Sequence, residues 1–146
     1  MTDDELVLAL AAKVRAVSTA PLGNLEVHAW EMVGSEDPDG SVVVQVAAGI
    51  QEHIAIGEQL MDSVDLQIEA RIPLAETAAS RSKIAAVRKQ IVDLLRGNRT
   101  LTAGGEDART NSASAIRWEY GVDSEGDRLK RYCMVAVTYV KKPDDV

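Results

Sequence analysis

The chain has 146 residues, 46% of them hydrophobic and 27% charged, with a formal net charge of −7. That length supports one domain, residues 1–146, with a real core, and the composition is that of an ordinary globular protein. The acidic balance argues against a protein that grips nucleic acid through its phosphates, which needs clustered Lys and Arg.

Thr2-Asp3-Asp4-Glu5 reads as a capping box, with Thr2 accepting from the Glu5 amide and the Glu5 carboxylate reaching back to Thr2. It opens an amphipathic helix whose stripe is Leu6, Leu10, Val14 and Val17, and Ser18, Pro21 and Gly23 stop it. Leu25 to Met32 can form a short strand. Glu31 to Ser41, with Glu36-Asp37-Pro38-Asp39-Gly40 at its centre, reads as an acidic turn-rich loop. Val42, Val43, Val44 and Val46 form a compact apolar run that suits a central strand.

Gly49 to Asp62 has neither helix nor strand periodicity. Its apolar residues Ile50, Ile54, Ile56, Leu60 and Met61 predict an extended hairpin arm or ordered loop that needs a core or a neighbour to cover it. From Val64 the alternation is strict. Val64, Leu66, Ile68, Ala70 and Ile72 point one way, and Asp65, Gln67, Glu69 and Arg71 the other. That is a long half-buried strand, ended by Pro73, and the rest of the chain can be read as packing on it.

Ile84, Val87, Ile91, Leu94 and Leu95 lie on one stripe of a second helix, with Arg81, Lys83, Arg88, Lys89 and Arg96 on the other side and Gly97-Asn98 as the stop. In an acidic chain that basic face reads as a solvated or ion-pairing surface. Asn98 to Ser114 reads as a long polar connection; its Gly104-Gly105-Glu106-Asp107 lacks the Lys-Ser/Thr of a phosphate loop. Ile116, Trp118 and Tyr120 then alternate with Arg117 and Glu119. Asp123 to Asp127 reads as a hairpin turn, and Arg128 to Lys142 as a last strand apolar on both faces through its middle. Covering both faces would take helices on one side and another subunit on the other. Residues 143–146 read as a frayed tail.

The sum is an α+β fold: an antiparallel or mixed sheet with two amphipathic helices packed on one face and an extended hairpin arm. No chemistry stands out. His28 and His53 are isolated, the lone Cys133 excludes a disulfide framework and a cysteine-rich zinc site, and no serine sits in a nucleophile elbow. Paired acids such as Glu106 and Asp107 read as solvated loop charges. The residues predict no catalytic group, cofactor or metal. No stretch approaches the ~20 apolar residues of a membrane span, and the acidic N-terminal stretch lacks the positive region of a signal peptide, so the expected setting is a cytoplasm.

In order, size and strand character, the pattern from Glu5 to Lys141 resembles the tail terminator (tail-completion) proteins of long-tailed double-stranded DNA bacteriophages. The elements that carry it are the leading helix, the valine strand Ser41–Ala48, the irregular apolar arm and the strand V-D-L-Q-I-E-A-R-I-P. The helix Ile84–Leu95, the long connection and the final strand R-Y-C-M-V-A-V-T-Y-V complete it. The resemblance implies a structural virion protein, not an enzyme, assembled in the host cytoplasm. Such a protein forms a hexameric ring that caps the tail tube, stops its polymerisation and joins it to the head connector, while DNA passes through the bore without specific binding. Its implied partners are further copies of itself, the tail-tube protein and the connector or neck proteins.

A closed ring uses a heterologous contact between two unlike surfaces. For these the sequence nominates the arm (Ile50, Ile54, Ile56, Leu60, Met61) and the basic helix face (Arg81, Arg88, Lys89). The long connection, with Arg99, Glu106, Asp107 and Arg109, is nominated as a segment that orders on contact with the tube or connector. Two alternatives are a neck (head-completion) or tail-tube subunit of the same particle, and a small cytoplasmic ligand-binding or enzymatic α+β domain.

Overall fold

The computed structural model describes residues 1–31, 39–53, 60–74, 77–110, 115–125 and 128–143. In chain order it contains α1 (Asp3–Arg15), a short 3-10 turn (Leu22–Asn24), β1 (Glu26–Ala29), β2 (Ser41–His53) and β3 (Leu60–Pro73). Then come α2 (Thr77–Gly97), β4 (Thr100–Ala103), β5 (Glu106–Thr110), β6 (Arg117–Glu125) and β7 (Arg128–Lys141). The fold class is α+β.

The capping box forms. Thr2 Oγ1 accepts from the Glu5 amide at 3.0 Å, and Glu5 Oε2 accepts from the Thr2 amide at 3.4 Å. α1 buries Leu6, Val7, Leu10, Ala11 and Val14. α2 buries Ile84, Val87, Ile91, Val92 and Leu95. Val92 replaces Leu94 on the stripe read from the sequence, as Leu94 is only partly buried.

The seven strands form one sheet in the order β1-β2-β3-β7-β5-β4, with β6 also paired to β7. β3 is central, flanked by β2 through Ser41↔Arg71 and by β7 through Asp62↔Lys141 to Pro73↔Lys130. β1 runs parallel to β2 and the other pairings are antiparallel, so the sheet is mixed. On its far side β7 is shared: β6 takes Arg128–Ala136, and β5 takes Tyr139 and Val140. Because α1 packs against both β1 and β4, the two ends of the strand path, the sheet curls.

Registered rows make the buried face. Val42, Ala70 and Cys133 form one, Val44, Ile68 and Val135 the next, and Val46, Leu66 and Val137 a third. All but the partly buried Val46 are buried, and they join the buried residues of α1 and α2 in one cluster. On the opposite face Asp65, Gln67, Glu69 and Arg71 are half-buried beside Tyr132, Met134, Ala136, Thr138 and Val140. Thr138 Oγ1 donates to Asp65 Oδ1 at 2.6 Å, and Arg71 pairs with Glu69 at 3.2 Å and Asp123 at 3.3 Å.

Several expectations need correction. Asn98 to Ser114 is not an unstructured connection: β4 and β5 form a hairpin through Thr100↔Arg109 to Ala103↔Glu106, with residues 111–114 outside those described. Leu101 and Ala108 are the inward residues that anchor it. Of the stretch Gly49 to Asp62, read as without strand periodicity, residues 49–53 and 60–62 are strand. β2 continues to His53, and β3 begins at Leu60. Ile54 and Ile56 lie outside the described residues. β6 continues through Asp123 to Glu125, where a turn was expected. Pro143, placed in the frayed tail, is buried, while residues 144–146 lie outside the described set.

Candidate functional site

Chemistry-bearing side chains are few and separated. Among the described residues no group of three or more His, Cys, Asp or Glu is placed to hold a metal. His28 Nε2 is buried without a hydrogen bond, and its nearest acid, Glu26 Oε1, is 3.6 Å away. Cys133 lies in the core between Ala70 and Tyr120, and burial pushes its thiol up to about 12. Burial also raises the Tyr139 phenol to about 12, with its hydroxyl donating to the Asn98 carbonyl at 2.7 Å.

These two groups predict an alkaline weakness. In the unfolded chain a cysteine releases its proton near pH 8.5 and a tyrosine near pH 10. The folded protein holds both protons to about pH 12. Stability from this source is therefore complete below about pH 8.5 and falls as pH rises towards about 12, by about 1.4 kcal/mol per unit for each group in its window. Urea midpoints measured from pH 7 to 11 should decline above pH 9, and Cys133→Ala should remove much of the early decline.

Surfaces carry more information than chemistry. One lies at the end of the sheet where the β2–β3 hairpin, the C-terminal end of β7 and the β4–β5 hairpin meet. Beyond a bulge between Val46 and Ala48 the register places Ile50 opposite Ser63, on the face opposite the buried rows. Ile50 is 60% exposed and Leu60 43% exposed, beside Glu52 and Asp62. A cleft of about 470 Å³ there is lined by Met61, Glu106, Asp107, Arg109, Val140 and Lys142. The structure thus brings Met61 together with three residues nominated on the connection.

Those three sit on a hairpin with an ion pair of its own. Arg109 lies 3.6 Å from Asp107, and Thr102 Oγ1 donates to Asp107 Oδ1 at 2.6 Å. Glu106 is bonded by the N-terminal ammonium, whose hydrogen bond and charge lower its carboxyl below the usual range. The fourth, Arg99, stands between α2 and β4, where its carbonyl accepts from the Thr110 amide at 2.8 Å.

The second surface is the outer side of α2 with β6. Arg81 and Lys89 are exposed. Arg88 is already engaged: its guanidinium lies 4.5 Å over the Trp118 ring, and its Nε donates to Tyr120 Oη at 3.0 Å. That stacking is a cation–π contact, so Arg88 contributes to β6 before any partner arrives.

Sequence reasoning missed the β6 surface. Trp118, Tyr120 and Val122 are 46%, 45% and 51% exposed, and Leu129 across the hairpin 55%. The register aligns Trp118, Tyr120 and Val122 with Val135, Cys133 and Arg131, on the face that carries the buried rows. Alternation revealed the stripe but not that it extends beyond the cover of α2.

The sequence matches no protein-family model and no curated protein.

Proposed function

We propose that this chain is a ring-forming structural subunit of the tail-terminator type. In this reading two helices cover one face of the sheet and the β2–β3 hairpin projects as an arm. Copies of the chain close a ring, probed below as a hexamer, that caps a phage tail tube and joins it to the head connector in the virion. DNA slides through its bore, and a net charge of −7 suits a lumen that does not hold phosphates.

The observation that carries this reading is the placement of two unlike surfaces on one subunit. Ile50 with Glu52 on one face of the hairpin, and Leu60 with Asp62 on the other, lie where β3 begins; Arg81 lies in the second turn of α2 beyond Pro73, where β3 ends, with Arg88 and Lys89 further along the helix. At ~3.3 Å per residue the ends of β3 are roughly 40 Å apart. An acidic apolar arm at one end and a basic helix face towards the other can meet only between different copies. Repetition of such a heterologous contact makes a closed ring or an open filament.

Ile50→Asp tests the arm. The side chain faces solvent, so the fold should keep its stability within about 0.5 kcal/mol, while ring assembly should be abolished. Light scattering over a concentration series, then negative-stain imaging with and without tail tubes, reads the result. Closed rings of six that cap tubes support the terminator reading, and open-ended tubes would make the chain a tube subunit. Normal rings from Ile50→Asp would remove the arm from the interface.

A further inference from the structure

Among the described residues, β6 has a nine-residue unpaired edge; the one stretch of equal length, Gln45–His53 of β2 beyond β1, is broken by the bulge between Val46 and Ala48. Arg117–Glu125 pair with Arg128–Ala136 of β7 in an unbroken register, and no strand lies on the other side. The remaining outer strands, β1 and β4, have four residues each, and α1 packs against both. An unpaired edge is a row of N–H and C=O groups ready to accept another strand, and proteins that avoid this use proline, charged side chains (lysine above all) or a bulge. β6 has no proline, lysine or bulge, and its charges Arg117, Glu119 and Asp123 are of both signs. Its outward stripe of Trp118, Tyr120 and Val122 is held from behind by Arg88, so two of the three side chains are already ordered before contact.

The strand's own sequence identifies the occupant. Pair β6 antiparallel with β6 of a second copy about a two-fold axis at Tyr120. Arg117 then faces Asp123, Trp118 faces Val122, and Tyr120 faces its own copy, with the first two pairs occurring twice. Glu119 faces Gly121, which carries no charge. Sliding the register by two residues one way sets Glu119 against Glu119, and the other way against Asp123; like charges directly opposite are destabilising. A one-residue slide turns the apolar stripe onto the charged face. Arg117 makes no ion pair within the described part of its own chain. Asp123 lies 3.3 Å from Arg71 and would gain a second cation.

We propose that β6 is a self-complementary edge through which two copies of this chain join into one continuous sheet, antiparallel and centred on Tyr120. The contact does not use the arm, and of the α2 surface it involves only Arg88, which backs Trp118 and Tyr120. It stands or falls separately from the ring: alone it yields a dimer, and with a ring of six it yields paired rings.

Two charge reversals and their mixture test it. Arg117→Asp alone sets two carboxylates against each other at both pairs, and Asp123→Arg alone sets two guanidiniums together. Each should raise the dimer dissociation constant about tenfold or more. An equimolar mixture restores both opposite-charge pairs in the mixed dimer and should return the affinity to near that of the unmodified chain. Sedimentation equilibrium reads all three, with circular dichroism to show that each variant is folded.

As a second measurement, Trp118→Cys and Val122→Cys variants should be joined by a short bismaleimide only when mixed, with the buried Cys133 unreactive. An unmodified chain that shows neither dimers nor paired rings, single variants that associate normally, or a mixture no tighter than its components would each overturn the proposal. Ile50→Asp should leave the β6 contact intact whether or not it abolishes rings.

Discussion

Gly40→Ala is expected to destabilise the fold by about 3 kcal/mol or more, because it combines backbone strain with a clash that cannot relax. Gly40 has φ +114, a conformation that L side chains rarely adopt. A Cβ built there would lie 2.3 Å from the Arg71 carbonyl oxygen and 3.2 Å from Ile72 Cα. Both are backbone atoms of the central strand, so neither can swing away. Gly40 immediately precedes the Ser41↔Arg71 pair that starts the β2–β3 ladder, and its carbonyl accepts from the Glu26 amide at 3.4 Å. Displacing it therefore disturbs β1, β2 and β3 together. Gly97→Ala is the matched control. Nothing lies within 4 Å of a Cβ at that helical position, and the change should be neutral or stabilising by about 0.5 kcal/mol. Urea midpoints that move equally for the two variants would refute the account of Gly40.

Lys141→Ala should cost about 2–4 kcal/mol, whereas Lys142→Ala, one residue on and exposed, should stay within about 0.5 kcal/mol. The Lys141 side chain is fully buried, with Nζ 3.3 Å from Asp3 Oδ1 and 3.4 Å from Asp62 Oδ2. Asp3 lies in the first turn of α1 and Asp62 near the start of β3, so this ammonium ties the helix to the end of the sheet. Asp62 is 22% exposed and Asp3 46%, and water screens part of the loss, so the figure sits below that of a wholly buried pair. The aliphatic stem adds packing of its own. Lys141→Met keeps most of that stem and should recover part of the loss. Thermal denaturation of the three variants at low and high salt checks the assignment, since only the Lys141 variants should shift the midpoint substantially. Equal effects at 141 and 142 would refute it.

The sequence resolved those parts of the fold whose side chains carry their own periodicity. β3 alternates strictly because one face meets the core and the other does not, and α1 announces its start through a cap that is local by nature. The same holds for α2 and for the two faces of β7. In the candidate surfaces, Ile50, Leu60 and the basic residues of α2 were legible as groups needing a neighbour or solvent. Their placement along the length of the sheet was not, because no local pattern records which strand ends lie together.

Tertiary structure decided the rest, and in each case the stabilising partner is remote in sequence. β4 and β5 have only Leu101 and Ala108 to anchor, too little for a hydrophobic pattern, and they exist as strands because β7 offers Tyr139 and Val140 as pairing partners. Gly49–His53 has no strand periodicity of its own and extends β2 because β3 continues beside it. Trp118 and Tyr120 form one stripe by alternation, yet α2 reaches them only through Arg88 and leaves them half in solvent. Lys141 reads as a charged strand end, yet two carboxylates, one from the start of the chain and one from the start of β3, flank its ammonium. Local periodicity determined which faces are apolar, while long-range pairing decided which edges close and which remain open, because an edge is a property of neighbours and not of the strand itself.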